Sequence, residues 1–160
     1  MYALSVTIHL LSAMFWLGGM FFLAIVGAPA LRALDPDLRR RLFREIGKRF
    51  RSTSWVVIGI LAITGVFNLH FRGLLGPALR GGRDFWLGPA GMMLTWKLTL
   101  VLAMVAIASA HDFWLGPRSS RLTPGSAEHE RVRRTVVWLG RVNALVGVLL
   151  VYVATRLVRG

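Results

Sequence analysis

Residues 85–110 read FWLGPAGMMLTWKLTLVLAMVAIASA, and Lys97 is the one charged residue among them. A stretch of about 20 apolar residues is long enough to cross a hydrocarbon core of roughly 30 Å as a helix. Because lipid offers no hydrogen-bond partners, a chain that crosses it must pair its backbone groups within the segment. This stretch therefore predicts a transmembrane helix.

Three further stretches share the pattern. No Asp, Glu, Lys or Arg precedes Arg32, residues 52–71 hold none, and residues 135–155 hold only Arg141. The sequence thus predicts an all-α integral membrane four-helix bundle that forms a single domain. The expected spans are residues 2–27, 53–71, 90–114 and 135–156.

The composition favours a membrane protein over a soluble one. Of the 160 residues, 55% are hydrophobic, yet the formal net charge is +13. A soluble domain of this size leaves much of its surface in water and could not hide so large an apolar fraction. A strongly basic chain can also indicate nucleic-acid binding. Here the charges lie between the spans, so we expect no nucleic-acid partner. The absence of cysteine excludes disulfides and thiolate metal sites.

The basic residues are unevenly divided between the two sides of the expected spans. Segments 32–51 and 116–134 carry thirteen Lys and Arg, and the opposite side carries five. The positive-inside rule makes these segments cytoplasmic loops and places both termini on the non-cytoplasmic side. We expect the loops to contact anionic lipid headgroups, with a short basic helix at 36–51. The expected location is the cell membrane, as a multi-pass protein of a bacterial inner membrane.

One six-residue sequence occurs twice. DFWLGP stands at residues 84–89 and again at 112–117. A continuous helix would separate the copies by about 42 Å, which matches the thickness of a bilayer with its headgroups. Each copy offers an aromatic pair to the interface and a Gly-Pro that stops or starts a helix. We interpret the repeat as an anchor at each face of the membrane rather than as a duplicated domain.

Ionisable residues inside the spans are the candidate functional residues, because a Lys or Arg in mid-span costs about 2.5–3.5 kcal/mol on insertion scales. Depth divides the candidates into two groups. The outer group holds His9 and Lys97, with His70 at the end of the second span, and these three are expected to meet. The inner group consists of His111, Asp112, Arg141 and Asn143.

Each candidate also has a purely structural interpretation. Lys97 and Arg141 are close enough to the ends of their spans for their long side chains to reach the headgroups. His70 fits an interfacial histidine. His9 lies among apolar residues, where a hydrogen bond to the serine four residues before it or three residues after it would explain its presence. The methionines pack more often than they bind metals.

Several short stretches follow one another in a recognisable order. They are HLLSAMFWLGGM at 9–20, KRF at 48–50, WKLT at 96–99, His111, and RVN at 141–143. In this order they resemble the copper-resistance D (CopD) family, which is related to the HemJ-type protoporphyrinogen oxidases. The resemblance covers nearly the whole chain, and the shared order is more specific than any single motif.

The resemblance implies a bound b-type haem and functional roles for His9 and Lys97, which match the functional histidine and lysine of HemJ-type proteins. Two positions depart from the HemJ pattern. Ala144 replaces the acidic residue that follows Asn143, and Ala110 replaces the tyrosine before the helix-three histidine. The sequence is therefore more similar to the CopD-type branch, which is named for copper.

Haem binding is the first functional hypothesis, since helical bundles hold cofactors between facing helices and histidine is a usual axial ligand. His9 is the preferred ligand. The chain would then transfer electrons or oxidise a small substrate, and as an enzyme it would be a membrane oxidoreductase with Lys97 as its catalytic residue. The cofactor-binding candidates are His9, His70, His111, Arg141 and Asn143, with Lys97 or Arg141 paired to the haem propionates.

Copper binding or transport is the second hypothesis, with His9 and His70 as imidazole ligands on the outer side. The third is an accessory subunit of a membrane complex, in which the polar residues serve helix packing or lipid contact. Small residues such as Gly18 and Gly19 also suit packing against a second protomer. A homo-oligomer or a larger membrane complex is therefore a further expectation.

Overall fold

The computed structural model describes the backbone of residues 1–123 and 125–159, and the side chains of residues 1–118, 121–123 and 125–156. Within these ranges the chain is helical and contains no strand. In chain order the helices are α1 (Tyr2–Phe22), α2 (Ala28–Arg32), α3 (Pro36–Phe71), α4 (Leu75–Arg80), α5 (Gly82–Leu87), α6 (Pro89–Ser109), α7 (Gly116–Arg121) and α8 (Ala127–Arg159).

Four helical stretches are long and apolar enough to cross a membrane among the residues described, and they begin at Tyr2, Pro36, Pro89 and Ala127. The prediction of an all-α membrane protein with four spanning helices is therefore confirmed. Which side of the membrane carries the termini stays a prediction. The chain divides into two compact units, residues 1–80 and 81–160, which we call the first and the second hairpin.

In the first hairpin, α1 and α3 pack side by side along their length. The rings of Tyr2 and Phe71 lie 5.8 Å apart at one end, and the ring of Phe50 lies on Gly19 toward the other. Tyr2, His9 and Gly19 contact α3, and they belong to a series of α1 positions at alternating intervals of three and four, as in a coiled-coil seam. The series is Tyr2, Ser5, His9, Ser12, Trp16 and Gly19.

Helix α3 is 36 residues long, or about 54 Å at 1.5 Å per residue. The Asp35 carboxylate accepts hydrogen bonds from the first-turn N–H groups of Asp37 and Leu38, and Pro36 occupies the first helical turn, where its missing N–H costs nothing. The basic segment 36–51 is therefore the first part of the helix that continues into the second span. It is not a loop or a separate short helix, since no residue between the cap and the span breaks the helix.

The second hairpin is built from α6 and α8, which pack together much as α1 and α3 do. Met104 is its most buried large side chain, at 2% exposure. Helix α5 precedes α6 and is separated from it by Gly88, whose backbone is extended, and by Pro89 at the start of α6. Gly91 is required here, because a Cβ would collide with the backbone of Phe85.

The two copies of DFWLGP therefore differ in conformation. The first forms α5 and the break before α6, so the helix that was expected to link the copies starts only at Pro89. The second lies mostly in a π-helical turn, Ala110–Leu115, and the chain continues into α7 without a break. The expected helix stop at the second Gly-Pro is thus wrong.

A π-helical turn explains how the chain remains helical at Pro29 and at Pro117. The N–H of Ala28 bonds to the carbonyl of Leu23, five residues back, and Pro29 follows. A proline in a regular helix clashes with the carbonyl four residues back. In a π turn the backbone hydrogen bond spans five residues instead of four, and the wider turn relieves this crowding. The same arrangement, in which Gly116 bonds to His111 before Pro117, occurs in the second hairpin.

The two hairpins share further features at positions that are 88 residues apart. Thr7 and Thr95 both donate from their hydroxyls to the carbonyl four residues back, each at 2.9 Å. Trp16 and Met104, both buried, are also 88 residues apart. The same interval joins four more pairs of positions: Leu23 and His111, Ala28 and Gly116, Pro29 and Pro117, and His9 and Lys97. The two hairpins are therefore built on one plan, although few of the matched residues are identical.

Candidate functional site

His9 is held by a hydrogen bond to the neighbouring helix of its hairpin. Its Nδ1 lies 2.8 Å from the Oγ1 of Thr64 on α3, and Thr64 is buried at 7% exposure. The Thr64 hydroxyl donates its one hydrogen to the carbonyl of Ile60, at 2.7 Å. With its hydrogen on Ile60, the Thr64 oxygen accepts a hydrogen bond from His9 in the tautomer that is protonated at Nδ1. In the neutral ring, this leaves the lone pair on His9 Nε2.

Two further polar side chains lie one helical turn from this bond. Ser5 Oγ and Asn68 Oδ1 are buried and have no hydrogen-bond partner among the residues described. They lie at the same level of the hairpin, between the ring contact of Tyr2 with Phe71 and the histidine–threonine hydrogen bond. A buried polar atom in a membrane helix needs a partner. These two atoms therefore favour a water molecule or a polar ligand group at this level.

We call this group of residues the polar seam of the first hairpin. It occupies the part of the hairpin nearer the N-terminus, and it ends at Trp16 and Val57, which are both 8% exposed. Gly65 borders the His9 ring, since a Cβ at that position would lie 3.6 Å from His9 Cε1. The members of the polar seam are Ser5, His9, Ser12, Thr64 and Asn68.

Two of these residues are not among the candidates predicted from the sequence. Thr64 and Asn68 are uncharged, and neither belongs to a motif. Their spacing of four places them on one face of α3, which is the one signal that could have identified them. The expected serine partner of His9 is replaced by Thr64, which reaches the ring from the neighbouring helix.

His70 lies apart from the seam. It is exposed near the end of α3, and its ring lies edge-on to that of Phe71, with the centroids 5.8 Å apart. Gly73, three residues further along the chain, has a φ of 69° and follows the end of the helix. Its N–H donates to the His70 carbonyl at 2.9 Å. A ligand role for His70 stays a prediction.

The remaining candidates belong to the second hairpin. Lys97 is half-buried on α6. His111 Nδ1 lies 2.9 Å from the carboxylate of its neighbour Asp112 within the π turn. On α8, Asn143 is buried at 6% exposure and Arg141 is exposed. These two residues are two positions apart, so they lie on nearly opposite faces of the helix.

The candidate site residues are thus distributed over both hairpins. The first hairpin holds His9 and His70, and the second holds Lys97, His111 and Arg141. The meeting of His9 with Lys97 stays a prediction. Within residues 1–123 and 125–159, no group of three His, Cys, Asp or Glu side chains could hold a metal ion.

The basic ends of the long helices carry exposed ion pairs. Arg49 bonds to Glu45 and Arg118 to Glu128, each at 2.7 Å. Hydrogen bonds from two arginines, that of Arg133 first, lower the pKa of Glu130 from 4.5 to about 2. These pairs neutralise part of the basic charge of segments 32–51 and 116–134. Contact of the remaining charge with anionic lipid stays a prediction.

Comparison with known proteins identifies the family. The model of the family described as CopD, copper resistance protein D, matches residues 44–157, which include most of α3 and all of α6 but exclude His9. An uncharacterized protein of Aquifex aeolicus (strain VF5) is 31% identical over 152 residues, which are 94% of this chain and 90% of that protein. No solved structure matches. The order of motifs, the four spanning helices and these two matches agree, and the chain belongs to the copper resistance protein D family.

Proposed function

We propose that this membrane protein binds haem b through His9 Nε2 and uses it to transfer electrons or to oxidise a small substrate within the membrane. The observation that carries the proposal is the hydrogen-bond chain from His9 Nδ1 through Thr64 to the Ile60 carbonyl. A metal-bound histidine usually donates its other ring N–H to a fixed acceptor, which sets the tautomer and the ring orientation.

The polar seam fits such a ligand. His9 is half-buried between α1 and α3. These two helices would shield an iron bound to His9 from water on one side. Ser5 and Asn68 supply buried polar atoms one turn away, suited to water or to a polar ligand group. The buried Trp16 keeps the inner end of the seam apolar. Haem, when bound, would supply one-electron transfer at a potential tuned by its axial ligand and surroundings.

Two residues of the first hairpin then have defined roles. His9 provides the ligand atom, and Thr64 holds the imidazole ring and keeps its proton on Nδ1. The family resemblance assigns a further role to Lys97 of the second hairpin, as the catalytic residue.

Copper binding is the second candidate, because the description of the family names copper resistance. Imidazole Nε2 is also a suitable copper ligand. The described residues offer no group of three His, Cys, Asp or Glu side chains around His9, so haem, which brings its own four nitrogen ligands, needs fewer protein ligands at this position.

The absorption spectrum of the full chain, purified in mild detergent, tests the proposal. We expect a Soret band that shifts on reduction with dithionite and that is lost in His9→Ala. His129→Ala is the matched control, since it removes a half-buried histidine at the start of α8 that belongs to none of the candidate sites, and it should retain the band.

Protein that remains colourless after incubation with haem would refute haem binding, and one bound copper per chain in that protein would favour the second candidate. A Soret band of full intensity in His9→Ala would show that another residue is the ligand.

A further inference from the structure

An apolar groove of about 410 Å³ runs along the second hairpin between α6 and α8. All of the residues that line it belong to the second hairpin. Trp96 and Tyr152 expose more than half of their surface there, so the groove is open along one side. The side chains along its floor and walls are Met93, Trp96 and Leu100 of α6 and Leu149, Tyr152 and Val153 of α8.

Arg156 closes one end of this groove. Its Nη2 and Nε donate to the phenol oxygen of Tyr152, at 3.0 and 3.2 Å, and its guanidinium carbon lies 5.4 Å from the centre of the ring. The tyrosine thus holds the guanidinium in place. A guanidinium carries five N–H groups, so three more can bind an anion while the two bonds to Tyr152 remain.

The direction of the groove matches that of a lipid in a bilayer. Leu149 stands seven residues before Arg156, which corresponds to about 10 Å along α8. Arg156 is the first charged residue after the apolar stretch 135–155, apart from Arg141 within it. The cation therefore lies at the end of the span, where lipid phosphates are found, and the apolar floor extends from it toward the middle of the span.

We propose that this groove binds one acyl chain of a phospholipid whose phosphodiester is held by Arg156. An acyl chain suits a groove lined almost entirely by hydrocarbon and aromatic side chains, and a phosphate suits a guanidinium, which can offer it two parallel hydrogen bonds. The tyrosine and the tryptophan are the residues that favour the membrane interface. This site is independent of haem binding by the first hairpin.

Photo-crosslinking in vesicles tests the proposal. The full chain is reconstituted into phosphatidylcholine vesicles that contain a small fraction of phosphatidylglycerol with a diazirine in one acyl chain. We expect label on the peptides that carry Trp96 and Leu149. Arg156→Gln should lower this labelling about threefold to fivefold, as expected for the loss of a charge-assisted hydrogen bond near the surface.

Two further variants separate the chain from the headgroup. Leu100→Trp fills the groove while leaving Arg156 in place, and it should also remove the label. Arg83→Gln is the matched control, because it removes an exposed arginine of the same hairpin that does not line the groove. It should be labelled as strongly as the unmodified protein. Circular dichroism and gel filtration verify that each variant is folded.

Three results would overturn the proposal. Equal labelling of Arg156→Gln and the unmodified protein would show that the arginine does not hold the phosphate. Equal labelling of Leu100→Trp would show that the chain does not occupy the groove. Absence of label, together with protomer–protomer crosslinks through Trp96, would show that a second copy of the protein covers this surface.

Discussion

Replacing Thr64 with valine is the most direct test of how His9 is held. Valine has nearly the shape of threonine but replaces its hydroxyl with a methyl group, so Thr64→Val removes the hydrogen-bond partner of His9 Nδ1. The bond is short, at 2.8 Å, and Thr64 is 7% exposed, so water does not easily replace the lost acceptor.

The size of the effect follows from the hydrogen bond. Net hydrogen bonds in proteins contribute about 0.5–1.5 kcal/mol, and interhelical bonds in a membrane protein average about 0.6 kcal/mol with a maximum near 1.7. A loss of about 1 kcal/mol lowers haem affinity about fivefold. A hydrogen bond donated from His9 Nδ1 makes the imidazole a stronger electron donor to a bound iron. Loss of this hydrogen bond therefore favours the ferrous state. The midpoint potential should rise by at most about 40 mV, the one-electron equivalent of the same energy.

Haem titration and redox titration of the purified variant measure both quantities. Thr64→Ser restores the acceptor and should restore most of the affinity and the potential. Thr7→Val is the matched control, since Thr7 is exposed in the same hairpin and its hydroxyl bonds to its own helix. Unchanged affinity and potential in Thr64→Val would refute the role of this bond in the site.

Three further predictions concern other parts of the chain. Lys97→Met should fold but lose activity, whereas full activity would show that Lys97 only reaches toward the headgroups; turnover and circular dichroism measured on the same preparation distinguish these outcomes. Gly19→Val should destabilise the protein by about 1–3 kcal/mol, because the added side chain meets a phenylalanine ring. Gly18→Val, with nothing within 4 Å of its added Cβ, should unfold at nearly the wild-type concentration of sodium dodecyl sulfate. Glu130 should titrate near pH 2 by NMR. Because its pKa is lowered on folding, its ion pairs stabilise the protein above pH 4.5 and are lost as the pH falls toward 2. Arg133→Gln should move the midpoint back toward 4.5, and a midpoint that stays near 2 would contradict the cause given.

The spans could be predicted because they depend on a property of whole segments. In lipid, the backbone of a long uncharged stretch can be satisfied only as a helix, so the sequence around Lys97 specifies a spanning helix whatever its packing. The continuation of α3 into the basic segment could not be read from charge alone. It depends on the Asp35 cap and on the absence of a helix breaker, which are local signals of helix start and length.

The site was harder to predict, since the decisive contact joins two helices. His9 is conspicuous as an ionisable residue in an apolar stretch, whereas Thr64 is one of several threonines within the spans and gains its role only from the register of α1 against α3. The π turn that carries His111 was equally hidden. A Gly-Pro sequence ordinarily ends a helix, and only an extra residue in the preceding turn lets the helix continue.

The plan shared by the two hairpins has a consequence for the chemistry that each can offer. Residues 88 positions apart occupy matching places, with the same proline-relieving turn and the same threonine bond. Positions 9 and 97 are such a pair, and they hold a histidine and a lysine. The shared plan thus presents an imidazole in the first hairpin where it presents an amine in the second, a difference that two identical hairpins could not have.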